Sequence, residues 1–160
     1  MAERWFLKLD GMAGESTDDR HRGEIDVTAW SFAVSHPAAG PAGGGGGRSG
    51  RPVFDELHVE APLSVATPPL FAACASGRHL RTAVLSGVRL AGESQEFSTC
   101  SLEDVSVVAA RHGDTVDGVP TDAVALAFKR IRISYRPQQP DGAAGAAVTA
   151  GWDVVANQSL

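Results

Sequence analysis

Ala123-Val124-Ala125-Leu126-Ala127-Phe128-Lys129-Arg130-Ile131-Arg132-Ile133-Ser134-Tyr135-Arg136 decides the fold. Side chains in a strand alternate faces with period two, so Val124, Leu126, Phe128, Arg130, Arg132 and Ser134 oppose Ala125, Ala127, Lys129, Ile131, Ile133 and Tyr135. The apolar set changes sides near Lys129. A bulge or a change of sheet is expected there.

Upstream, the same alternation recurs. Gln95 to Cys100 and Leu102 to Ala110 read as one strand carried across Ser101-Leu102-Glu103-Asp104 with a bulge, and Leu80 to Leu90 as another. Before them the period switches. Thr67-Pro68-Pro69-Leu70-Phe71-Ala72-Ala73-Cys74-Ala75-Ser76-Gly77 predicts a short helix, with Thr67 as N-cap, Pro68 in the first turn and Gly77 just past the end. Leu70, Phe71, Ala73 and Cys74 form its apolar face. Val53 to Pro62 is a further strand candidate. Glu24 to Val34 reads as one long strand, with Asp26, Thr28, Trp30, Phe32 and Val34 on one face and Ile25, Val27, Ala29, Ser31 and Ala33 on the other. Trp5 to Asp10 is the first strand, stopped by Asp10-Gly11. Downstream, Gly145 to Ala156 supplies a last hairpin arm or edge strand.

Two segments lack any period. Gly14 to Gly23 is polar throughout and reads as a surface loop. Residues 35–52 contain the run Gly43-Gly44-Gly45-Gly46-Gly47, which has nothing to bury and a high entropic cost of ordering. Strand patterns flank that run, so it reads as a long loop protruding from one domain spanning residues 1–160. The fold class expected is mainly β, a β-barrel-like pair of sheets with one short flanking α-helix and an extended loop.

Composition narrows function by exclusion. A net charge of −5 offers no basic field for nucleic acid, and no apolar stretch approaches the roughly 20 residues that span a bilayer. Neither a nucleic-acid partner nor membrane insertion is expected. The opening residues lack the apolar core and cleavage site of a Sec signal peptide, so any export is expected to bypass that route. Cys74 and Cys100 have no CxxC or Cys/His partners and read as reduced, packed thiols.

No catalytic, cofactor-binding or metal residues emerge. His21, His36, His58, His79 and His112 are scattered and read as surface histidines. The glycine run ends without Gly-Lys-Ser/Thr and precedes no helix, so it is not a phosphate loop. Ser16, Asp18, Asp19 and His21 share one polar loop that provides no oxyanion donors. Asp114-Thr115-Val116-Asp117-Gly118 lacks the acidic ligands of a calcium loop and reads as a turn.

Phe6-Leu7-Lys8-Leu9-Asp10, then Gly14-Glu15-Ser16-Thr17-Asp18-Asp19, then Glu24 through Phe32 resemble the opening of the Hcp family, the tube proteins of the type VI secretion system. Thr67 through His79 resembles that family's single helix. Tyr135-Arg136-Pro137-Gln138, Asp141-Gly142 and Ala150-Gly151-Trp152-Asp153 resemble its ending. The resemblance runs over essentially the whole chain in order.

It implies a structural subunit without catalytic residues or cofactors: a homo-hexamer whose rings stack into a hollow tube inside a contractile sheath. A VgrG-like spike protein would cap the tube, and small effectors would ride in the lumen. Such a subunit is cytoplasmic during assembly and secreted on contraction. Ring closure needs a heterologous contact, and stacking needs a second surface. The loop residues Glu15, Ser16, Thr17 and Asp18 and the glycines Gly43 to Gly47 are the candidates, expected to gain order only against a neighbour. Ser31, with Ala29 and Ala33, is the candidate lumen-facing set; packing of these three against the helix is the alternative. Competing functions are a ring-forming effector chaperone, a tube subunit of another contractile injection system and, most distantly, a small β-barrel hydrolase.

Overall fold

The structure, a computed structural model, describes residues 2–37 and 50–160. The Ala123–Arg136 pattern resolves into two strands in line, β9 (Pro120–Ala127) and β10 (Arg130–Tyr135). Both run antiparallel along one edge of the 22-residue β8 (Glu93–Asp114), β9 against Ser106–Asp114 and β10 against Ser98–Glu103. The break at Phe128-Lys129 falls where the apolar face switches, since Val124 and Leu126 are buried before it and Ile131 after it. The outer partner changes there too, from β6 (Leu57–Pro62) on β9 to β11 (Val148–Asp153) on β10. β8 bends opposite this break. Asp104 adopts φ +53, and the β7–β8 ladder skips from Leu80↔Val105 to Thr82↔Glu103. Full register shifts lie elsewhere, at Gly87/Val88 and at Val107/Ala109.

The other edge of β8 pairs with β7 (His79–Ala91), which pairs with β1 (Ala2–Leu9), which pairs with β2 (Ile25–Val27). Glu24 to Val34 is therefore not one strand. At Thr28 the chain leaves β1, and β3 (Ala29–Ser31) joins β6 instead. The Thr28 N–H and hydroxyl both donate to Glu60 O, at 2.8 and 3.1 Å, and bridge β2 to β6 where no ladder closes the sheet. The strand path β2-β1-β7-β8-β10-β11-β12, where β12 is Gln158–Ser159, with β9, β6 and β3 branching in turn from β8, curls into an open, barrel-like ten-stranded sheet. β4 (Val34–Ser35) and β5 (Val53–Phe54) form a separate two-stranded sheet. The expected strand Val53–Pro62 is thus split at Asp55-Glu56, where Asp55 N–H turns to Ala33 O. The last strand, β12 (Gln158–Ser159), is an edge on β11.

Inside, Leu7, Leu9, Leu57, Leu85, Leu102, Val105 and Leu126 lead a continuous core contributed by both arms of the sheet. The helix α1 (Thr67–Ser76) packs Leu70 and Ala73 onto it, and Gly77 ends it at φ +66 with its N–H bonded to the last turn. Two details differ from the helix expected. Thr67 is the first helical residue rather than the N-cap, because its hydroxyl is bonded to Asp122 on β9; Ala66 occupies the cap position without a side-chain bond. Phe71 is 61% exposed and lies off the buried face, edge-on to His112.

Candidate functional site

Cross-strand partners share a face, so the ladder itself assembles the surface around Ser31. Ser31 pairs with His58 and His58 with Ala125; Ala29 pairs with Glu60, Glu60 with Ala123 and Ala123 with Arg111. The result is a bare sheet face, floored by small residues and edged by His58, Glu60 and Arg111. Ala29 and Ser31 are exposed on it, beside a shallow hollow of 320 Å³ walled by Trp30 and His58. Ala33 is also exposed but lies past the end of β3. None of the three is covered by α1, which packs on β8, so the alternative of burial against the helix is not realised. His58, Glu60, Ala109, Ala123 and Ala125 belong to this face and were missed in the sequence. Strict alternation in Leu57–Pro62, with Leu57, Val59 and Ala61 buried, was the sign that His58 and Glu60 point outward.

The polar segment Gly14–Gly23 is a strap, not a free loop. Gly14 N–H donates to Gly23 O (2.7 Å), Gly23 N–H to Ser16 O (2.8 Å) and Ser16 N–H to Glu24 O (3.0 Å). Gly14 is required at the tightest point, since a Cβ there would meet Glu24 O at 2.4 Å. The strap crosses the outer face of β1, where His21 stacks on Phe6 at 4.6 Å with the planes 5° apart. Phe6 is 0% exposed despite standing outside the main core, a burial worth about 2 kcal/mol. Ser16, 3% exposed, and His21, 7% exposed, are therefore interior residues, contrary to the surface placement expected for them. The strap orders itself against its own barrel without a neighbour. Of its candidate interface residues, Ser16 is taken up internally, its hydroxyl accepting from Asp18 N–H at 3.2 Å. Asp18 is half-buried, 3.9 Å from Arg4. Glu15 and Thr17 remain exposed, with Glu15 Oε2 accepting from Val65 N–H at 3.2 Å. Gly43 to Gly47 lie outside the described residues.

Polar groups elsewhere serve as fastenings. Asp122, buried on β9, accepts from the Thr67 hydroxyl (2.6 Å) and contacts His112 Nδ1 (2.6 Å), tying the start of α1 to β9 and β8. The carboxylate stands between hydroxyl and imidazole, which is the wrong order for a nucleophile activated by a base. Asp153 is held below the ordinary carboxylate range, first by the Ala156 N–H and then by Arg130, whose Nε lies 2.9 Å away. Arg130 bridges Asp153 to Glu103 across three strands. Burial pushes the Cys100 thiol up to about 11, so it stays protonated and unreactive at neutral pH. Cys74 is half-buried and also unbridged. Among the described residues, no group of three His, Cys, Asp or Glu side chains is placed to hold a metal, and no helix is long and apolar enough to cross a membrane.

Among the described residues, an open, barrel-like sheet carries one helix, a strap and a bare small-residue face, and a second, larger hollow of 510 Å³ is walled by Phe32, Phe54, Ile131 and Trp152. The family model described as type VI secretion system effector, Hcp, matches residues 6–135. Protein hcp1 of Pseudomonas aeruginosa is 36% identical over 160 residues, covering 98% of each chain. Hcp1 from Salmonella typhimurium superposes with a TM-score of 0.81 at 30% identity, covering all of both chains. A solved type six secretion system protein superposes with a TM-score of 0.91 at 26% identity, over 99% of this chain and 100% of its own. The chain belongs to the Hcp family of the type VI secretion system.

Proposed function

We propose that this chain is the structural subunit of a type VI secretion tube. The observation that carries this reading is the match to Hcp proteins along essentially the whole chain. Residues 1–160 act as one unit, six copies close into a ring, and rings stack into a tube that leaves the cell on contraction. The spike, the contractile sheath and small effectors are its partners. Its role is mechanical rather than catalytic, which agrees with an unreactive Cys100 and an Asp122 network spent on anchoring α1.

Within such a ring the face bearing Ala29 and Ser31 lines the lumen. Its alanines keep the wall thin, while Ser31, His58 and Glu60 keep it wetted. Exposed Glu15 and Thr17 on the strap, together with the segment containing Gly43 to Gly47, supply contacts between copies. Light scattering on a sizing column tests the assembly. A native mass six times that of the protomer, with rings in negative-stain images, is expected; a stable monomer across the accessible concentration range overturns the ring.

A further inference from the structure

We infer that the C-terminal turn and β12 guard the outer edge of β11 against pairing with the same edge of a second copy, and that Asp153 is the latch holding the guard shut. This inference concerns the protomer and does not depend on ring formation. The two ends of the open sheet are closed differently. At one end Thr28 ties the β2–β3 segment to Glu60 on β6. At the other end β11 lies along β10 with its second edge turned outward. Val154 N–H donates to Lys129 O on the β10 side at 2.8 Å, while Gly151 O accepts from Leu160 N–H on the opposite side at 3.2 Å. Backbone groups alternate in direction along a strand, so Thr149, Gly151 and Asp153 present their N–H and C=O outward. Such an edge is a template for another strand. Among the described residues, β12 is the one strand that covers it, through the pairs Trp152↔Ser159 and Asp153↔Gln158.

A strand of two residues holds itself weakly, so the cover depends on what fixes its approach. The connecting turn, Val154 to Asn157, ends with Asn157 at φ +56, a left-handed conformation that asparagine enters more readily than most residues. Asp153 Oδ1 accepts from Ala156 N–H at 2.8 Å and fixes the turn, while Oδ2 accepts from Arg130 Nε at 2.9 Å and anchors the carboxylate to β10. One side chain therefore ties the turn to the sheet. The pull on its acidity has the same order, Ala156 N–H first and Arg130 after it. Leu160 adds a second hold. It rests over Gly151, where an added Cβ would stand 3.1 Å from the Leu160 Cβ, yet it stays 49% exposed.

Release of the turn would uncover the whole edge of Val148–Asp153, a strand without proline and with a single charge. Val148 is already 71% exposed, and Thr149 and Ala150 are exposed beside it. The occupant this edge fits is its own equivalent. Two copies of β11 pair antiparallel about a two-fold axis, the direction in which β12 already lies, and such an isologous contact needs no other surface. β12 occupies that place first.

Two measurements on the full chain separate latch from guard. In Asp153→Ala, amide exchange at Ala156 and Leu160 is expected to quicken about tenfold while β7 and β8 amides hold, the scale of one hydrogen bond lost. Light scattering at matched concentration should then give about twice the mass of the unaltered protein, whatever its own assembly, or more where rings become linked. Thr149→Lys added to Asp153→Ala places a charge on the edge and should return the mass to that of the unaltered protein without slowing the exchange. Unchanged exchange in Asp153→Ala overturns the latch, and faster exchange at unchanged mass overturns the guard. Where Asp153→Ala does not fold, Leu160→Pro keeps the carboxylate and removes the β12 donor. It should raise the mass in the same way, and an unchanged mass there overturns the inference.

Discussion

Residues 79–114 and residues 25–62 both build walls of the same sheet, yet the first does so with two long strands and the second, among the described residues, with three short ones, β2, β3 and β6. β7 keeps β8 beside it for its whole length, and β8 keeps β7 from Glu93 to Ser106, whereas the chain from Ile25 serves β1, then β6, then its own two-stranded sheet. Alternation reports which side of a sheet a residue faces. It carries no information about which strand lies alongside. A long run of alternation is consistent with either outcome, and only the partner exchange at Thr28 separates them.

If the broken arm bears the core as fully as the long one, equal truncations should cost equally. Leu57 on β6 and Leu102 on β8 are both essentially unexposed. Leu57→Ala and Leu102→Ala are each expected to destabilise by about 3 kcal/mol, within the usual range for a buried leucine. Urea denaturation of the assembled protein checks this. A loss at Leu57 well under 1 kcal/mol would demote the broken arm to a decoration on the β7–β8 hairpin.

The long arm has its own tight point. Gly87 on β7 is paired with Trp5, and an added Cβ would stand 2.7 Å from the indole ring and 3.0 Å from Phe97. Overpacking of this kind costs about 2 kcal/mol, so Gly87→Ala should lower stability by that amount. Trp5→Leu in the same background should return part of the loss, and calorimetry would read both. β6 contains no glycine, so this test has no counterpart on the broken arm.

Much of this was legible in the sequence, for physical reasons that can be named. Period-two runs located β1, β7, β8, β10 and β11, and Gly77 located the helix end, because both depend on local geometry alone. The face switch near Lys129 correctly marked a structural break, since a register change must show in the pattern. What failed depended on tertiary partners. Thr67 has every property of an N-cap, yet Asp122, 55 residues away, recruits its hydroxyl. Gly14–Gly23 is polar enough to read as solvent-exposed, but Asp18 accepts the His21 backbone N–H and Glu24 meets its ring, which stacks on Phe6. Pairing of polar groups makes a polar segment interior, and composition cannot report pairing. For the candidate face, the alternation Leu57–Pro62 placed His58 and Glu60 outward, but their adjacency to Ser31 required the β3–β6 register.

The Thr67 contact gives the next smaller effect. Thr67→Val keeps the shape and removes the hydroxyl, leaving Asp122 Oδ2 without that donor while Oδ1 keeps its contact with His112, and leaving the Ser64 N–H without its acceptor. A loss of about 1.5 kcal/mol is expected in thermal or urea unfolding, the usual cost of stranding one buried acceptor. A loss of a few tenths would mean that α1 is held by Leu70 and Ala73 alone.

The smallest effect tests the bend of the long arm. Asp104 is exposed, sits at φ +53 and is passed over by the β7–β8 ladder at the point where β8 exchanges β10 for β9. A left-handed conformation costs an L-residue about 1 kcal/mol, and aspartate tolerates it better than most. Glycine removes that strain but adds unfolded-chain entropy, which offsets part of the gain. Asp104→Gly should therefore stabilise by about 0.5 kcal/mol, whereas Asp104→Ala should destabilise by a similar amount. Opposite signs for the two variants would establish that β8 is bent by its backbone at this residue, and that the long arm, like the broken one, turns where its partner changes. If alanine were as stable as glycine, the bend would belong to the surrounding ladders, with Asp104 merely following them.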